Sequence, residues 1–573
     1  MTVHNKEIAD LFNQLADILE IEGANPFRVR AYRNAARFIG ESPRSLAEQV
    51  KAGEDLTQLP GIGKDLAQKI VTIVETGHLP ALEVEVKHIP QGIIDMTRLP
   101  GLGPKRVKKL HETLGINNLA DLKAAALEHK IALLSGFGIK TEAKILAELE
   151  RGGEKKKRFL LSKVDDIANE LTEYLQAIPG VNEVTVAGSF RRRVQTVGDL
   201  DILVTAKNGV DVIDAFVKFP KVRVITSQGT TRSTVLLHSD LQVDLRVVPK
   251  IHYGAAMHYF TGSKAHNIEL RNRALKHGWK FNEYGVFEGD KSLASKTEQE
   301  IYQLFNLPYI PPELRENRGE FEAAEKNQLP KLVELSDIRG DLHAHTTETD
   351  GANTLEEMVQ AAIAFGYGYL AITDHTKNLA MVRGQDEKRV LQQIKKIQKL
   401  NKKVAPFRIL TGAEVDILVD GSLDLDDEVL AQLDIVVCSI HSRFNLPEEQ
   451  QTARVLKAME NPHFKILGHP TGRLINHRAG HQVNLEAIIK CAKHYSHCLE
   501  LNAQPSRMDL DDHHCRLAKE HGVKLVISTD AHSINQLHNM KFGVGQARRG
   551  WLEAGDVINT LSLKKLLTYL HKS

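Results

Sequence analysis

The sequence predicts a multidomain protein, α+β in its central part and α/β in its last part. Its 573 residues exceed the length of about 250–300 residues at which single cores stop growing. Three glycine-rich turns separate helical stretches near the amino terminus, and short β-type runs with paired acids follow. After residue 338, seven strand-like segments alternate with helical ones. These observations predict a helical region, an α+β region and a seven-stranded β/α barrel, in that order.

Composition and charge narrow the function classes. Lys and Arg number 75 against 73 Asp and Glu, so the net charge of +2 hides any local basic surface. Basic blocks lie at residues 98–110 and 151–158, a pattern typical of solvated faces or linkers. Four cysteines without Cys-x-x-Cys spacing argue against a disulfide framework or a thiolate metal site. The amino terminus lacks an apolar signal core and no run of about 18 apolar residues occurs, which predicts a soluble cytoplasmic protein without a membrane partner.

The helix-hairpin-helix pattern occurs three times in the amino-terminal region. The copies are Leu59-Pro60-Gly61-Ile62-Gly63, Leu99-Pro100-Gly101-Leu102-Gly103 and Leu134-Ser135-Gly136-Phe137-Gly138. The glycines permit a tight turn, and the N–H groups that start the next helix can bind a phosphate. Candidate DNA-binding residues are Gly61, Gly63, Lys64, Gly101, Gly103, Lys105, Gly136 and Gly138. One copy could be a plain hairpin, but three copies predict salt-sensitive DNA binding that does not depend on sequence.

Three acids on strand-like runs form a candidate catalytic centre. A β-type run leads into Gly188-Ser189-Phe190-Arg191-Arg192-Arg193, and the next run begins Asp199-Leu200-Asp201. Positions i and i+2 of a strand face the same side, so Asp199 and Asp201 can share a cation. Asp244 lies in a further strand-like run. A lone Asp-x-Asp is commonly solvated, but three carboxylates beside a Gly-Ser turn suit nucleotidyl transfer with divalent ions.

About the first 315 residues resemble the family X DNA polymerases, the group of DNA polymerase beta. Several blocks fall in the same order, including Tyr259-Phe260-Thr261-Gly262-Ser263-Lys264-Ala265-His266-Asn267 and then Arg271. The resemblance implies a nucleotidyltransferase palm and a thumb, with Mg²⁺ or Mn²⁺ held by Asp199, Asp201 and Asp244. It also implies that Asp244 accepts the proton of the primer hydroxyl. The implied nucleotide contacts are Gly188, Ser189, Arg192, Gly198, Tyr259, Phe260, Gly262, Asn267 and Arg271.

Those contacts divide by role in the family. Ser189, Arg192 and Gly198 match triphosphate-holding positions, and Tyr259, Phe260 and Gly262 match positions that sense the sugar. Asn267 and Arg271 match positions along the base and the template side. Gln242 and His266 depart from the family pattern, which bears on rate and fidelity more than on reaction type.

Residues 1–82 resemble the small domain of the same polymerases that holds the downstream 5′ end of a gap. Lys69 matches the lysine that forms a Schiff base there, which predicts a deoxyribose-phosphate lyase. Asp65 stands where a neighbouring residue is basic in the family, and it disfavours phosphate binding. The alternative is that Lys69 is an ordinary surface or phosphate-binding lysine.

Six of the seven strand-like segments after Ile338 end in His, Glu or Asp. Active sites of β/α barrels lie at the carboxyl ends of the strands, so these side chains should converge. The candidate metal ligands are His343, His345, Asp350, His375, Glu414, His441, His469, Asp530 and His532. Any one histidine could simply be packed, but nine ligands at successive strand ends predict two or three Mn²⁺ or Zn²⁺ ions. Arg443 and Arg473, just beyond strand ends, are candidate phosphate contacts or surface residues.

Residues 338–573 resemble the PHP family of metal-dependent phosphoesterases. Together the two resemblances imply a monomeric, nucleoid-associated repair enzyme that fills short gaps in gapped or primer-template DNA with dNTPs. The barrel would be a 3′-5′ exonuclease, with abasic-site cleavage as a further family activity. Two alternatives stay open: a DNA-binding protein with a defunct polymerase half and an active phosphoesterase, and a non-catalytic scaffold for DNA ends.

The predicted domain boundaries follow the motifs and composition. Pro308, Pro311 and Pro312 precede a charged stretch that ends near Pro330, which predicts a semi-rigid, exposed connection. The predicted domains are a helical domain with the first hairpin at 1–82, a fingers region with two hairpins at 83–150, a palm at 151–250, a thumb at 251–316, a linker at 317–337 and a PHP domain at 338–573.

Overall fold

The computed structural model describes residues 3–42, 44–86, 89–97, 99, 101–150 and 157–572. The chain forms two compact units that divide between Lys157 and Arg158. Parts of the predicted basic blocks and Pro100 of the second glycine motif lie outside the described residues, namely Arg98, Arg151, Lys155 and Lys156 besides that proline. In the described residues, no helix combines the length and the apolar character needed to cross a membrane.

The described part of the first unit is helical. In α1, Ile8, Phe12, Leu15 and Leu19 recur at helical spacing and are buried, and Phe12 packs edge-on against Tyr32 of α2. The helices are α1 (Asn5–Glu22), α2 (Pro26–Glu41), α3 (Leu46–Lys51), α4 (Lys64–Thr76), α5 (Pro80–Val86), α6 (Gln91–Thr97), α7 (Pro104–Leu114), α8 (Leu119–Leu127) and α9 (Ile139–Glu150).

The second unit begins with a five-stranded sheet in the order β2-β4-β7-β6-β5. Strands β4 and β7 are parallel, and the other neighbours are antiparallel. Apolar residues of α10 and α12 share a core with this sheet. The elements are β1 (Phe159–Leu160), α10 (Leu161–Gln176), β2 (Val181–Val186), α11 (Gly188–Arg191), β3 (Thr196–Val197), β4 (Asp199–Ala206), α12 (Gly209–Phe216), β5 (Val222–Gln228), β6 (Arg232–Leu237) and β7 (Gln242–Val247).

A small helical and β subdomain follows the sheet. Its three strands form one antiparallel sheet in the order β10-β9-β8. The elements are α13 (Tyr253–Thr261), α14 (Lys264–Lys276), β8 (Lys280–Asn282), β9 (Gly285–Glu288), β10 (Lys291–Ala294), α15 (Glu298–Leu304) and α16 (Glu320–Glu325).

The connection between this subdomain and the barrel is packed, so the prediction of an exposed segment is wrong. Arg315 is fully buried and its Nη1 lies 2.5 Å from Glu298 Oε1. Glu320 is also fully buried, and its Oε1 lies 2.8 Å from Nδ1 of His266. These charges are paired with partners far away in the sequence, which local composition does not reveal.

The last 235 residues or so form a seven-stranded parallel sheet whose strands follow chain order. A parallel bridge between Ala344 and Ala531 links the two edges, so the barrel is nearly closed, as predicted. Met508 and Phe542 of the barrel belong to the core of the five-stranded sheet. The elements are β11 (Gly340–Asp341), α17 (Leu355–Ala364), β12 (Tyr369–Ile372), α18 (Glu387–Val404), β13 (Arg408–Asp416), α19 (Asp427–Leu430), β14 (Ile435–Ser439), α20 (Glu448–Ala458), β15 (Ile466–Leu467), α21 (Leu485–Tyr495), β16 (Cys498–Asn502), α22 (Asp512–Glu520), β17 (Leu525–Ser528), α23 (Met540–Arg549) and α24 (Leu563–Lys572).

Candidate functional site

Strand pairing brings the three predicted acids to one region of the five-stranded sheet. In the parallel pair β4–β7, Asp201 lies opposite Asp244, and Asp199 lies opposite Gln242. Burial, followed by the charges of Asp199 and Asp244, raises the pKa of Asp201 to about 7. Three oxygen donors whose mutual repulsion a cation would relieve fit Mg²⁺ or Mn²⁺.

The third acid is held by neighbours on its own sheet. Thr234 Oγ1 donates to Asp244 Oδ1 at 2.5 Å, and Gln242 Nε2 donates to Oδ2 at 2.6 Å. Arg232 Nη2 lies 3.6 Å from Oδ1. Gln242, which departs from the family pattern, therefore orients the carboxylate of Asp244.

Gly188 allows the Gly-Ser turn to approach the acids. It has φ +62°, and a Cβ at this position would lie 2.6 Å from Asp201 Oδ2. No larger residue fits without moving the carboxylate, which explains why this turn begins with glycine.

A cleft of about 640 Å³ opens beside the acids, a size common for small-ligand sites. All nine predicted nucleotide contacts line it, together with Asp199 and Asp201; Asp244 is not among the lining residues. His266, the second departure, lies elsewhere: it is buried and stacks on Phe321 with a centroid distance of 4.5 Å. Five further residues that were not predicted as contacts also line the cleft: Arg158, Val194, Thr261, Lys264 and Ile268.

Two arginines of the Gly-Ser turn bind Thr261, which lines the cleft. Arg191 Nη1 donates to Thr261 Oγ1 at 2.7 Å, and Arg192 Nη1 donates to the Thr261 carbonyl oxygen at 2.5 Å. Arg191 also pairs with Glu298, with Nη2 and Oε2 2.7 Å apart. Burial alone would raise the pKa of Glu298, but Arg315 and Arg191 hold that pKa well below its usual range. This part of the cleft is therefore preorganised by permanent charges.

The barrel brings all nine predicted ligands to the carboxyl ends of its strands. The ligand atoms form three groups within which all distances are 4.8 Å or less: His345 with Asp350, His375 and His532; His343 with His345, Glu414 and Asp530; and His375 with Glu414 and His441. His469 joins them, because its Nε2 lies 2.9 Å from Glu414 Oε1. Among the described residues, ligand groups this tight occur only in the barrel. The oxygens of Asp199, Asp201 and Asp244 are therefore not all within 4.8 Å of one another.

Several buried ring nitrogens in the barrel make no well-aligned hydrogen bond, although carboxylate oxygens lie 3.0 Å, 3.1 Å and 3.3 Å from three of them. They are Nε2 of His343, both nitrogens of His345, Nδ1 of His375 and Nδ1 of His469. Buried polar atoms normally find a partner, so these nitrogens are suited to metal ions. His345 supports this because burial, then the nearby His375, lowers its pKa to about 3, which keeps the ring neutral and able to ligate.

The central carboxylates stay ionised despite their burial. Burial alone would raise the pKa of Glu414, but the positively charged rings of His375, His343 and His441 lower it well below its usual range. Burial alone would likewise raise the pKa of Asp530, but the charge of the nearby His343 lowers it well below its usual range. Asp350 and His532 are 27% and 31% exposed, so the site opens to solvent on their side.

Two carboxylates behind the ligands orient the histidines, and the sequence analysis did not select either. Glu500 Oε1 accepts from His343 Nδ1 at 2.7 Å, and Asp416 Oδ1 accepts from His441 Nδ1 at 2.7 Å. Such contacts leave Nε2 for the metal. A signal was present, because Asp416 follows Glu414 by two residues on one strand and Glu500 lies on β16.

The two arginines predicted beyond strand ends have different surroundings. Arg473 donates through Nε to the carbonyl of Arg507 at 2.8 Å and through Nη2 to Gln195 Oε1 at 2.8 Å. It is therefore a structural residue and not a free phosphate contact. Arg443 is exposed. Arg507, which was not predicted, has its Nε 3.7 Å from Asp530 Oδ2.

The three predicted hairpins share one backbone geometry. Their first glycines, Gly61, Gly101 and Gly136, have φ of +76°, +89° and +86°. Their second glycines, Gly63 and Gly103, precede α4 and α7 with ordinary φ values of −83° and −75°. No atom of the described chain lies within 4 Å of a Cβ built on either. Neither conformation nor internal packing demands these second glycines, which suits the close approach of an outside group.

Side chains around the hairpins add positive charge. Lys64 and Lys105, the first residue of α4 and the second of α7, are exposed. In the third hairpin, the Gly138 carbonyl accepts from the N–H groups of Thr141 and Glu142 as α9 begins. Lys69 is different, because its ammonium group pairs with the Asp65 carboxylate one turn earlier in α4.

The folds and sites of the second unit define a class of protein, a beta-type DNA polymerase joined to a metal-dependent phosphoesterase barrel. Models of five families match the chain: helix-hairpin-helix domain (residues 3–79), SAM-like helix-hairpin-helix tandem (93–151), DNA polymerase beta palm (161–256), DNA polymerase beta thumb (256–316) and PHP domain (341–504). The chain belongs to the PolX family, the family X DNA polymerases that carry a carboxy-terminal PHP domain.

Similar proteins cover the whole chain or one of its halves. The DNA polymerase/3'-5' exonuclease PolX of Bacillus subtilis is 40% identical over 575 residues, which is 100% of both chains. DNA polymerase lambda of Arabidopsis thaliana is 27% identical over 54% of this chain and 62% of its own. A protein named probable phosphatase from Thermoanaerobacter sp. is 30% identical over 40% of this chain and 93% of its own.

Proposed function

We propose that this protein is a DNA-directed DNA polymerase that fills short gaps during DNA repair and trims 3′ ends with a metal-dependent exonuclease in its barrel. One observation carries the polymerase assignment: the β4–β7 pairing sets the acids beside a cleft that all nine predicted nucleotide contacts line. The family membership supports both activities, since the Bacillus subtilis relative is named for a polymerase and a 3′-5′ exonuclease.

In the polymerase centre, Asp199, Asp201 and Asp244 would hold two Mg²⁺ or Mn²⁺ ions. When bound, such ions neutralise charge on the phosphates and align the reacting oxygens. Ser189, Arg192 and Gly198 bind the triphosphate of a dNTP. The carboxylate of Asp244, fixed by Gln242, accepts the proton of the primer 3′ hydroxyl as that oxygen attacks the α-phosphate and pyrophosphate leaves.

The cleft residues near the sugar and the base of the incoming nucleotide set which nucleotide fits. Tyr259, Phe260 and Gly262 line the cleft on one side, where the resemblance places the sugar of the incoming nucleotide. Arg246 stacks on Phe260 with 4.4 Å between its Cζ and the ring centroid, which fixes that ring. Asn267 donates to the carbonyl of Tyr259 at 2.7 Å and thereby ties the base-side residue to the sugar-side residue.

In the barrel, the nine ligands would hold two or three Mn²⁺ or Zn²⁺ ions, and the buried ring nitrogens that make no well-aligned hydrogen bond fit that role. Such ions supply Lewis-acid activation of water and stabilise the charge that develops on a phosphodiester. Glu500 and Asp416 keep His343 and His441 oriented with Nε2 toward Glu414. The exposed side at Asp350 and His532 is where a 3′ end enters.

The helical unit binds the DNA backbone through its hairpins. Gly63 and Gly103 leave the N–H groups at the starts of α4 and α7 open, and helix starts attract phosphate; because α7 begins with Pro104, its first N–H is that of Lys105. The partners are gapped or primer-template DNA and dNTPs. For Lys69, the pairing with Asp65 favours a structural or phosphate-binding lysine over a lyase; borohydride trapping on incised abasic DNA, lost in Lys69→Ala, would establish the lyase.

Labelled gapped DNA with dNTPs and Mn²⁺ tests the proposal. We expect extension when dNTPs are present and 3′ degradation when they are absent. Asp199→Ala should abolish extension and spare degradation, and the double change His343→Ala with His345→Ala should do the reverse. Degradation alone in the wild type would favour a defunct polymerase half, and loss of both activities in either folded variant would contradict separate centres.

A further inference from the structure

A chain of charges that alternate in sign runs from the nucleotide cleft into the barrel. In order it contains Arg192, Glu316, Arg549, Asp512 and Arg318. Arg192 Nε lies 3.1 Å from Glu316 Oε1, and Arg549 Nη1 lies 2.8 Å from the same oxygen. The cleft arginine and the barrel arginine therefore share one carboxylate oxygen. On its other side, Arg549 Nη2 lies 2.8 Å from Asp512 Oδ2, which Arg318 also contacts.

Arg549 also fixes the backbone of the cleft arginine. Its Nη1 donates to the carbonyl oxygen of Arg192 at 2.9 Å. Arg549 is only 8% exposed, so these charge-assisted bonds are shielded from water. In the described part of the chain, the hydrogen bonds of the Arg192 guanidinium use Nε and Nη1, and Nη2 makes none. Glu316, Thr261 and Arg549 thus fix Arg192, while its Nη2 stays available to a ligand in the cleft.

Helix α23, which carries Arg549, packs closely against the barrel and against the Gly-Ser turn. A Cβ on Gly543 would lie 2.6 Å from Ile527 of the barrel, and a Cβ on Gly545 would lie 3.2 Å from Arg193, the neighbour of the cleft arginine. Lys541 Nζ lies 2.6 Å from Asp165 of α10. The helix therefore contacts both the barrel and the Gly-Ser turn, and it fixes the position of the turn relative to the barrel.

We infer that Arg549 is a positioning residue of the polymerase centre, contributed by the PHP domain. The inference rests on the proposed function, in which Arg192 binds the triphosphate. Because Arg549 shares the Glu316 carboxylate, Glu316 neutralises Arg192 only in part, and the cleft keeps net positive charge for the triphosphate. Without Arg549, Glu316 pairs with Arg192 alone and draws the guanidinium away from the nucleotide.

The test compares two neighbouring arginines of α23 in the full-length protein. Arg549→Met removes the charge and keeps most of the side-chain volume. We expect the KM for dNTP in gap filling to rise about tenfold, or about 1.4 kcal/mol, with a smaller change in kcat and an unchanged exonuclease rate. Arg548→Met is the matched control, because Arg548 Nε pairs with Glu313 Oε1 at 2.8 Å and does not contact Arg192. Its KM for dNTP should stay within about twofold of wild type.

Each outcome decides the inference. An unchanged KM in Arg549→Met overturns it, and so does an equal rise in both variants, since that indicates general loosening of the interface. Arg549→Lys keeps the charge, but one ammonium cannot contact Glu316, Asp512 and the Arg192 carbonyl together, so an intermediate KM is expected. This variant decides the matter when thermal unfolding shows the Met variant unfolded. If the wild-type protein incorporates no dNTP, the proposed function itself is refuted. If the wild type polymerises and Arg549→Met has the same KM for dNTP, only the inference is refuted.

Discussion

Replacing Glu500 by Gln should disable the barrel centre without changing its shape. Glu500 is fully buried; its Oε1 accepts from His343 Nδ1 at 2.7 Å, and its Oε2 accepts from the His469 N–H at 2.6 Å and from Asn502 Nδ2 at 3.2 Å. An amide has only one acceptor oxygen, so Glu500→Gln must place an NH₂ group either against His343 or against the donors of His469 and Asn502.

Both orientations of the amide are costly. When the NH₂ faces His343, the ring must accept at Nδ1, and its proton moves to Nε2, which lies 3.3 Å from Glu414 Oε2 and then cannot ligate a metal. When the NH₂ faces the His469 N–H, two buried donors meet at a cost of about 1–3 kcal/mol. Loss of a carboxylate behind a metal-binding histidine typically lowers metal affinity or activity about 10- to 100-fold. We expect a loss in this range.

The assay measures three quantities on one preparation: metal bound per chain by plasma mass spectrometry, 3′ degradation of a labelled primer, and gap filling. Exonuclease activity and bound metal should fall, while gap filling stays at the wild-type rate. Glu486→Gln is a matched control, because Glu486 is a buried acid of α21 that pairs with Lys490 at 3.0 Å and is not one of the nine ligands. Wild-type metal content and exonuclease activity in Glu500→Gln would refute the reasoning.

Three further predictions concern the polymerase half. Because the pKa of Asp201 is raised to about 7, a proton competes with Mg²⁺ below that pH; the Mg²⁺ concentration for half-maximal gap filling should rise by up to about tenfold per pH unit as pH falls from about 7 to about 6, and a flat profile would contradict this. Gln242→Ala removes the 2.6 Å bond to Asp244, so kcat for gap filling should drop about tenfold with little change in the KM for dNTP; an unchanged kcat would exclude an orienting role. Gly63→Ala with Gly103→Ala places methyl groups where phosphates would approach, so the Kd for DNA should rise about tenfold while the melting temperature stays near wild type; unchanged DNA binding would argue against backbone contacts there.

Local sequence patterns sufficed where the determinants are short-range. The i, i+2 spacing of Asp199 and Asp201 placed both on one strand, and the polar residues at strand ends marked the barrel ligands. Parallel strands in chain order bring those ends together without any long-range information. That is why all nine ligands converge although they span residues 343 to 532.

Long-range pairing escaped the sequence analysis. The prolines and charges around Arg315 suggested an exposed connection, yet Arg315 and Glu320 are buried because Glu298 and His266 neutralise or bind them. Glu500 was visible as a strand residue, but its role depends on facing His343, 157 positions away. Such pairs carry no local periodicity, and only the folded chain reveals them.

The sharing of Met508 and Phe542 with the core of the five-stranded sheet limits how this protein can be dissected. A fragment that stops before the barrel would expose apolar residues of the five-stranded sheet to water. This exposure would lower the free energy of unfolding by about 25 cal/mol for each Å² of apolar surface. A soluble truncated version would therefore require polar substitutions at these apolar positions of the sheet, and a different end point of the fragment would not be enough.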